Sequence, residues 1–175
     1  MKRLTYILAG LLLVLSSSGQ NWVSFSDTAF LFTAKYPSNW THKIKENKRV
    51  FFTSPADDPQ DDFLENINIS VSSNPDFGTR YKIKDVMPGL MGTMKNSFND
   101  FQEEGQRIFK WNNEDAGEII YSGYNKIDTS IRVRMIQWFC FYKTRLYTVT
   151  FTSKAGTDKH TATALKIMSG ILFRP

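Results

Sequence analysis

Phe30-Leu31-Phe32-Thr33-Ala34-Lys35-Tyr36-Pro37-Ser38-Asn39-Trp40 reads as an alternating strand that halts at a proline. Pro37 has no N–H to give a sheet ladder, so the strand ends there. Ser38 and Asn39 supply a turn, and Trp40 is driven back toward the interior as a corner post for the next strand. The stretch offers no activated nucleophile, base or metal ligand, and most of the chain is like it. Architecture and compartment are therefore more legible here than chemistry.

Upstream, Trp22 to Ser26 forms a short opening strand and Asp27-Thr28 a turn. Downstream, Thr41 to Glu46 places His42, Ile44 and Glu46 on one face and Lys43 and Lys45 on the other. Asn47-Lys48 reads as a tight turn into a strand from Arg49 to Ser54. A loop from Pro55 to Phe63 carries Asp57, Asp58, Asp61 and Asp62, and strand structure resumes over Asn66 to Ser72. After the turn-rich segment Ser73 to Gly78 the apolar period changes from two to about 3.6. Val86, Met87, Leu90, Met91, Met94 and Phe98 make a helical stripe, with Asp85 as N-cap and Pro88 in the first turn. Gly89 and Gly92 each weaken that helix by about 1 kcal/mol relative to alanine, so it depends on packing.

Strands then return. Gln106 to Trp111 turns at Asn112-Asn113 into Gly117 to Tyr124. Asp128-Thr129 leads into Ile131 to Tyr142, which is apolar on both faces from Met135 onward, as a central strand covered on both sides should be. Lys143-Thr144-Arg145 leads into Leu146 to Ser153, and a helix over Thr157 to Ser169 precedes Ile171-Leu172-Phe173. With no repeat or internal linker, the residues describe one α+β domain: an antiparallel sheet with a middle helix and a C-terminal helix packed against it.

Composition sets further bounds. Hydrophobic content of 41% with 14% aromatics excludes disorder and favours a sheet-rich core. Residues 1–19 read as a signal peptide, leaving 20–175 as the domain: Lys2 and Arg3 form the basic region, and Ile7 to Leu15 the apolar one. Ser17 and Gly19 provide the small residues at the cleavage site. The apolar run falls short of the roughly 20 residues that span a bilayer, so no membrane span is expected, and no leader cysteine offers a lipid anchor. Without Lys2 and Arg3 the chain carries 20 basic and 17 acidic residues, a mild excess. Export makes nucleic acid an improbable partner and places the chain in the periplasm or outside the cell. Cys140, the single cysteine, cannot form an internal disulfide; between Phe139 and Phe141 it reads as a small buried hydrophobe.

The order of these segments resembles PsbP-like domains. The resemblance rests on the Phe30-to-Trp40 run with its Tyr36-Pro37-Ser38-Asn39-Trp40 turn, on Phe51-Phe52-Thr53-Ser54-Pro55, and on Asn66 to Val71. Gly117 to Tyr124, Leu146 to Thr152 and the final Ile171-Leu172-Phe173 extend it over nearly the whole mature chain. It implies an α/β/α sandwich, the fold of photosystem II PsbP subunits, Ran-binding Mog-type factors and bacterial DcrB-like envelope proteins. It also implies an exported bacterial member that works as a binding, assembly or envelope-accessory module and not as an enzyme. The fold hosts no common catalytic apparatus.

Candidate sites follow from charge and aromatic density. Asp57, Asp58, Asp61 and Asp62, with Glu65, are weak cation ligands: calcium wants six to eight oxygens, but the spacing is not that of an EF-hand and Pro55 and Pro59 mark an exposed loop. Lys43, Lys45, Arg132 and Arg134, with Arg49 and Arg145, make a positive face for a partner only if their strands are neighbours. His42 and His160 are the only histidines, too few with one cysteine for a zinc site. No G-x-S-x-G, G-x-G-x-x-G or P-loop occurs, so no catalytic residues and no cofactor are expected. The expected partner is a protein or an envelope component. The alternative is a periplasmic carrier of a small apolar ligand, which needs Trp22, Trp40, Trp111 and Trp138 to line a cavity instead of filling the core.

Overall fold

Alternation of buried and exposed side chains builds most of this chain, and the computed structural model describes residues 20–45 and 49–174. The strands are β1 (Trp22–Asp27), β2 (Phe32–Pro37), β3 (Thr41–Ile44), β4 (Val50–Thr53) and β5 (Asn66–Ser73). Helix α1 (Ile83–Ser97) follows, then β6 (Phe98–Trp111), β7 (Glu114–Asn125), β8 (Arg132–Tyr142), β9 (Arg145–Lys154), helix α2 (Thr161–Ser169) and β10 (Leu172–Phe173). The leader 1–19 and the turn at Asn47-Lys48 lie outside the described residues.

Seven strands form one antiparallel sheet in the order β3-β4-β5-β9-β8-β7-β6. A second sheet, β1-β2-β10, is an element that the strand pattern alone does not separate from the first. It exists because the chain end returns: Leu172 and Phe173 pair with Thr33 and Phe32. The fold is the expected α+β sandwich, its sheet divided in two.

Each face of the large sheet carries its own core. On one side α2 and the small sheet cover Val50, Phe52, Ile67, Ile69, Tyr147, Val149 and Phe151. On the other, α1 packs its Ile83 and Met87 against Ile119, Tyr121, Phe139 and Phe141. Gly117 is what lets α1 approach this closely, because a Cβ there would run into Met87 Sδ and Ile83. The β8 segment Ile136–Phe141 is buried throughout, as a strand covered on both faces must be, although β9 and not β8 stands in the middle of the seven.

Three local expectations change. The strand after the first turn begins at Phe32, not Phe30, because Asp27 Oδ1 accepts the Phe30 N–H at 2.6 Å and Leu31 takes a left-handed φ of 56°. Helix α1 starts earlier than its stripe suggests. Lys82 occupies the N-cap with no side-chain cap, Asp85 falls inside the first turn, and Pro88 lies in the helix interior. The strand after α1 begins at Phe98 with no loop, so that residue ends the helical stripe and opens the sheet edge at once. The two-residue turns are as expected from their chemistry: Asn112 and Asn113 hold φ of 52° and 67°, the left-handed pair that a tight hairpin needs.

Candidate binding cleft

The segment between β5 and α1 is pinned to the β8–β9 turn. Asn74 N–H donates to Thr144 O at 2.9 Å, and Gly78 sits against the Lys143 carbonyl. Gly78 has φ of 73°, and a Cβ there would lie 2.7 Å from that carbonyl oxygen. Only glycine fits the site. The pinned segment holds Phe77 over Phe141, with ring centroids 5.0 Å apart, and Tyr81 edge-on to Phe77 at 6.3 Å. Lys82 is drawn back onto the loop, donating to Gly78 O at 2.7 Å.

These residues wall a surface cleft of about 550 Å³, closed on the far side by Ile108, Glu114 and Asp115. Its lining sets Phe77, Tyr81, Ile83, Ile108 and Phe141 among charged side chains, and Tyr81 is 38% exposed and Ile108 47% exposed. Lysines 82, 84 and 143 stand around it. Lys110 holds the Asp115 carboxyl below its ordinary value through a 2.8 Å ion pair, with Lys82 and Lys84 adding to the effect. The cleft can bury an apolar side chain while its three lysines favour negative charge at the rim. Phe77, Tyr81, Ile108 and Phe141 come from separate segments, and only the pinning contacts at Gly78 and Asn74 bring them together. Gly78→Ala should cost about 1–3 kcal/mol from its positive φ and the backbone clash, read as a lower urea midpoint. A midpoint equal to that of the parent would mean the segment is not locked.

The residues anticipated from sequence lie elsewhere. The acidic loop is a strap on its own chain. Asp57 Oδ1 takes Lys159 Nζ at 2.7 Å and His160 Nε2 at 2.9 Å, and Lys159 chiefly holds its carboxyl below the ordinary aspartate value. Asp58 and Asp61 accept backbone N–H groups of Gln60, Asp57 and Phe63, Asp62 reaches Lys154, and Glu65 is buried beneath the loop with Ser54 and Thr157. Among the described residues no three His, Cys, Asp or Glu side chains converge on a metal position.

The basic set does not gather. Lys43 on edge strand β3, and Lys45 just past its end, are separated by three intervening strands from Arg132 and Arg134 on β8. Lys45 Nζ lies over the Phe51 ring at 4.4 Å, Arg132 pairs with Asp100, and Arg134 pairs with Glu104 at 2.6 Å. Arg145 donates to Phe30 O and Arg49 is exposed. His42 Nδ1 meets the Tyr36 hydroxyl at 2.8 Å, while the His160 ring stands perpendicular to that of Trp40 with centroids 5.8 Å apart. Trp111 and Trp138 pack on each other at 5.3 Å, so aromatic mass goes into the core.

Cys140 is fully buried, and that burial pushes its thiol up to about 12. A thiol raised in the folded state ionises first in the unfolded chain, so its linkage leaves stability untouched below about pH 8.5 and erodes it above, by up to about 1.4 kcal/mol per pH unit. The stability gap between the parent and Cys140→Ala should therefore shrink as pH climbs from 8.5 toward 11. A gap constant over that range would contradict the burial assignment.

Among the described residues no helix is long and apolar enough to cross a membrane. No family model and no curated protein matches the chain. Solved structures do. Cyanobacterial PsbP from Synechocystis sp. PCC 6803 superposes with a TM-score of 0.61 at 14% identity, covering 90% of this chain and 95% of its own. LpqN of Mycobacterium tuberculosis, described as involved in cell envelope biogenesis, gives 0.56 at 12%, covering 91% and 88%. The Ran-binding protein Mog1p of Saccharomyces cerevisiae gives 0.55 at 8%, covering 88% and 96%. Each superposition takes in most of both chains, and the fold of this chain is PsbP/Mog-like.

Proposed function

We propose that the chain is an exported, non-enzymatic binding or envelope-accessory module, and that it docks a partner protein or envelope component through the Phe77–Tyr81–Ile108–Phe141 cleft. The single observation behind this reading is the cleft itself, a recess with aromatic and aliphatic walls, a charged rim and half-exposed Tyr81 and Ile108 at its mouth. Apolar groups left at the surface beside cations are what a partner covers. The basic–apolar leader supports export, and LpqN, described as an envelope-biogenesis protein, supplies a precedent on the same fold. The engaged histidines and the buried thiol support a non-catalytic role. The carrier alternative has less behind it, because the tryptophans it needs are packed into the core and the recess opens to solvent.

The test is affinity capture from an envelope extract with the mature chain, run beside Tyr81→Glu and Ile108→Glu. A partner enriched by the parent and lost with both variants is the expected result. No enrichment, or equal enrichment by the variants, overturns the reading.

A further inference from the structure

Strand β6 is the outer edge of the seven-stranded sheet, paired on one side only, with β7. Exposed edges invite pairing, and proteins blunt them with bulges and charge. The first half of β6 is blunted in this way: its register with β7 shifts between Asn99 and Gln102 and again between Glu103 and Gly105. From Gln106 to Trp111 the register is unbroken. Among the described residues no other backbone group bonds to this stretch, so every second residue turns a free N–H and C=O outward.

This stretch also runs along the cleft. Ile108 lies opposite Gly117, on the face where α1 sits, and is one wall of the recess holding Phe77, Tyr81 and Phe141. Arg107 and Phe109 point to the opposite face. A strand laid against β6 would place one side chain in each pair beside Ile108 at the cleft mouth. We infer that this edge accepts an extended, acidic segment of a partner protein as an eighth strand, its apolar side chains entering the cleft. The inference rests on the cleft reading above and names how the partner is held.

Charge selects the occupant. The unbroken stretch carries Arg107 and Lys110, each paired with a carboxylate of β7 (Glu118 and Asp115), and no carboxylate of its own. Lys82, Lys84 and Lys143 beside it have no carboxylate partner among the described residues. Two copies of this edge would bring like charges together, whereas alternating acidic and apolar residues would meet Arg107 on the face away from the cleft and, on the other, the recess with its rim of lysines.

The probe is a short fluorescein-labelled peptide alternating glutamate and valine. One control has alternate backbone amides N-methylated, and another has lysine in place of glutamate. The first should bind at least about tenfold more tightly than either control by fluorescence polarisation, and should alone slow amide exchange over Gln106–Trp111. Equal binding of the N-methylated peptide eliminates strand addition, as does failure of all three peptides to bind. In either case partner capture that still depends on Tyr81 leaves the cleft reading standing, while its loss removes both. Exchange protection that rises with protein concentration and needs no peptide overturns the inference in favour of a second copy at the edge.

Discussion

Replacing Phe151 by alanine is expected to remove about 3–5 kcal/mol of stability, a large part of the 5–15 kcal/mol that a domain of this size has. Phe151 lies on β9, the fourth of seven strands, and is fully buried. Its neighbours in register are Ile67 on β5 and Ile136 on β8, both pointing to the same face. That face is roofed by Ala164, Ile167 and Met168 of α2 and by the small sheet, so the ring is enclosed by both layers. Neither layer can sink into the void, because β9 is hydrogen-bonded on both edges and α2 also rests on β2 and β5. Phe151→Leu should cost about 1–1.5 kcal/mol, since most of the volume remains. Ile127→Ala, at a 97% exposed site, should stay within about 0.5 kcal/mol of the parent. Urea unfolding of the three variants settles the ranking. A Phe151→Ala loss below about 1.5 kcal/mol would mean that α2 does not close over the sheet as described.

The elements most readable in the sequence are those whose own residues decide them. Pro37 ends β2 because it has no donor, and Trp40 then turns inward with 3% exposure, its N–H bonded to Pro37 O at 2.9 Å. Ile67, Ile69 and Val71 declare a buried face by alternation alone. What was not legible depends on distant partners. Leu172 and Phe173 are too short a run to announce a strand, and they become one only because β2 lies open beside them. Phe98 satisfies the helical period from Met94 and the first position of a strand equally, so periodicity alone does not mark the boundary between them. In the acidic loop and the basic strands, like charges that are close in sequence are engaged by separate partners in the fold. The cleft is not legible because its aromatic and aliphatic walls are scattered, with Gly78 the one local signal: a turn glycine between Phe77 and Tyr81.

Glu118→Ala is the second large effect, expected at about 2–4 kcal/mol. The residue sits on β7 directly opposite Arg107 on β6 and Trp138 on β8, so three strands contribute one cross-strand contact. Its buried carboxylate accepts Trp138 Nε1–H at 2.7 Å and Arg107 Nε–H at 2.6 Å. The two donors are not equivalent. Arg107 is 61% exposed along its side chain and can turn to water, which makes its own contribution small. Trp138 is 5% exposed, wedged against Phe109 and Trp111, and has no second acceptor. Removing the carboxylate therefore strands a buried N–H, and that penalty should dominate. The origin of the cost can be isolated. In a Trp138→Phe background no N–H is left to strand, so Glu118→Ala should then cost at least about 1 kcal/mol less than in the parent. Glu118→Gln, which keeps an acceptor but gives up the charge, should fall between parent and alanine. If the cycle shows no coupling while Arg107→Ala alone matches the loss from Glu118→Ala, the exposed ion pair and not the indole carries the energy, and this account of β6–β7–β8 fails.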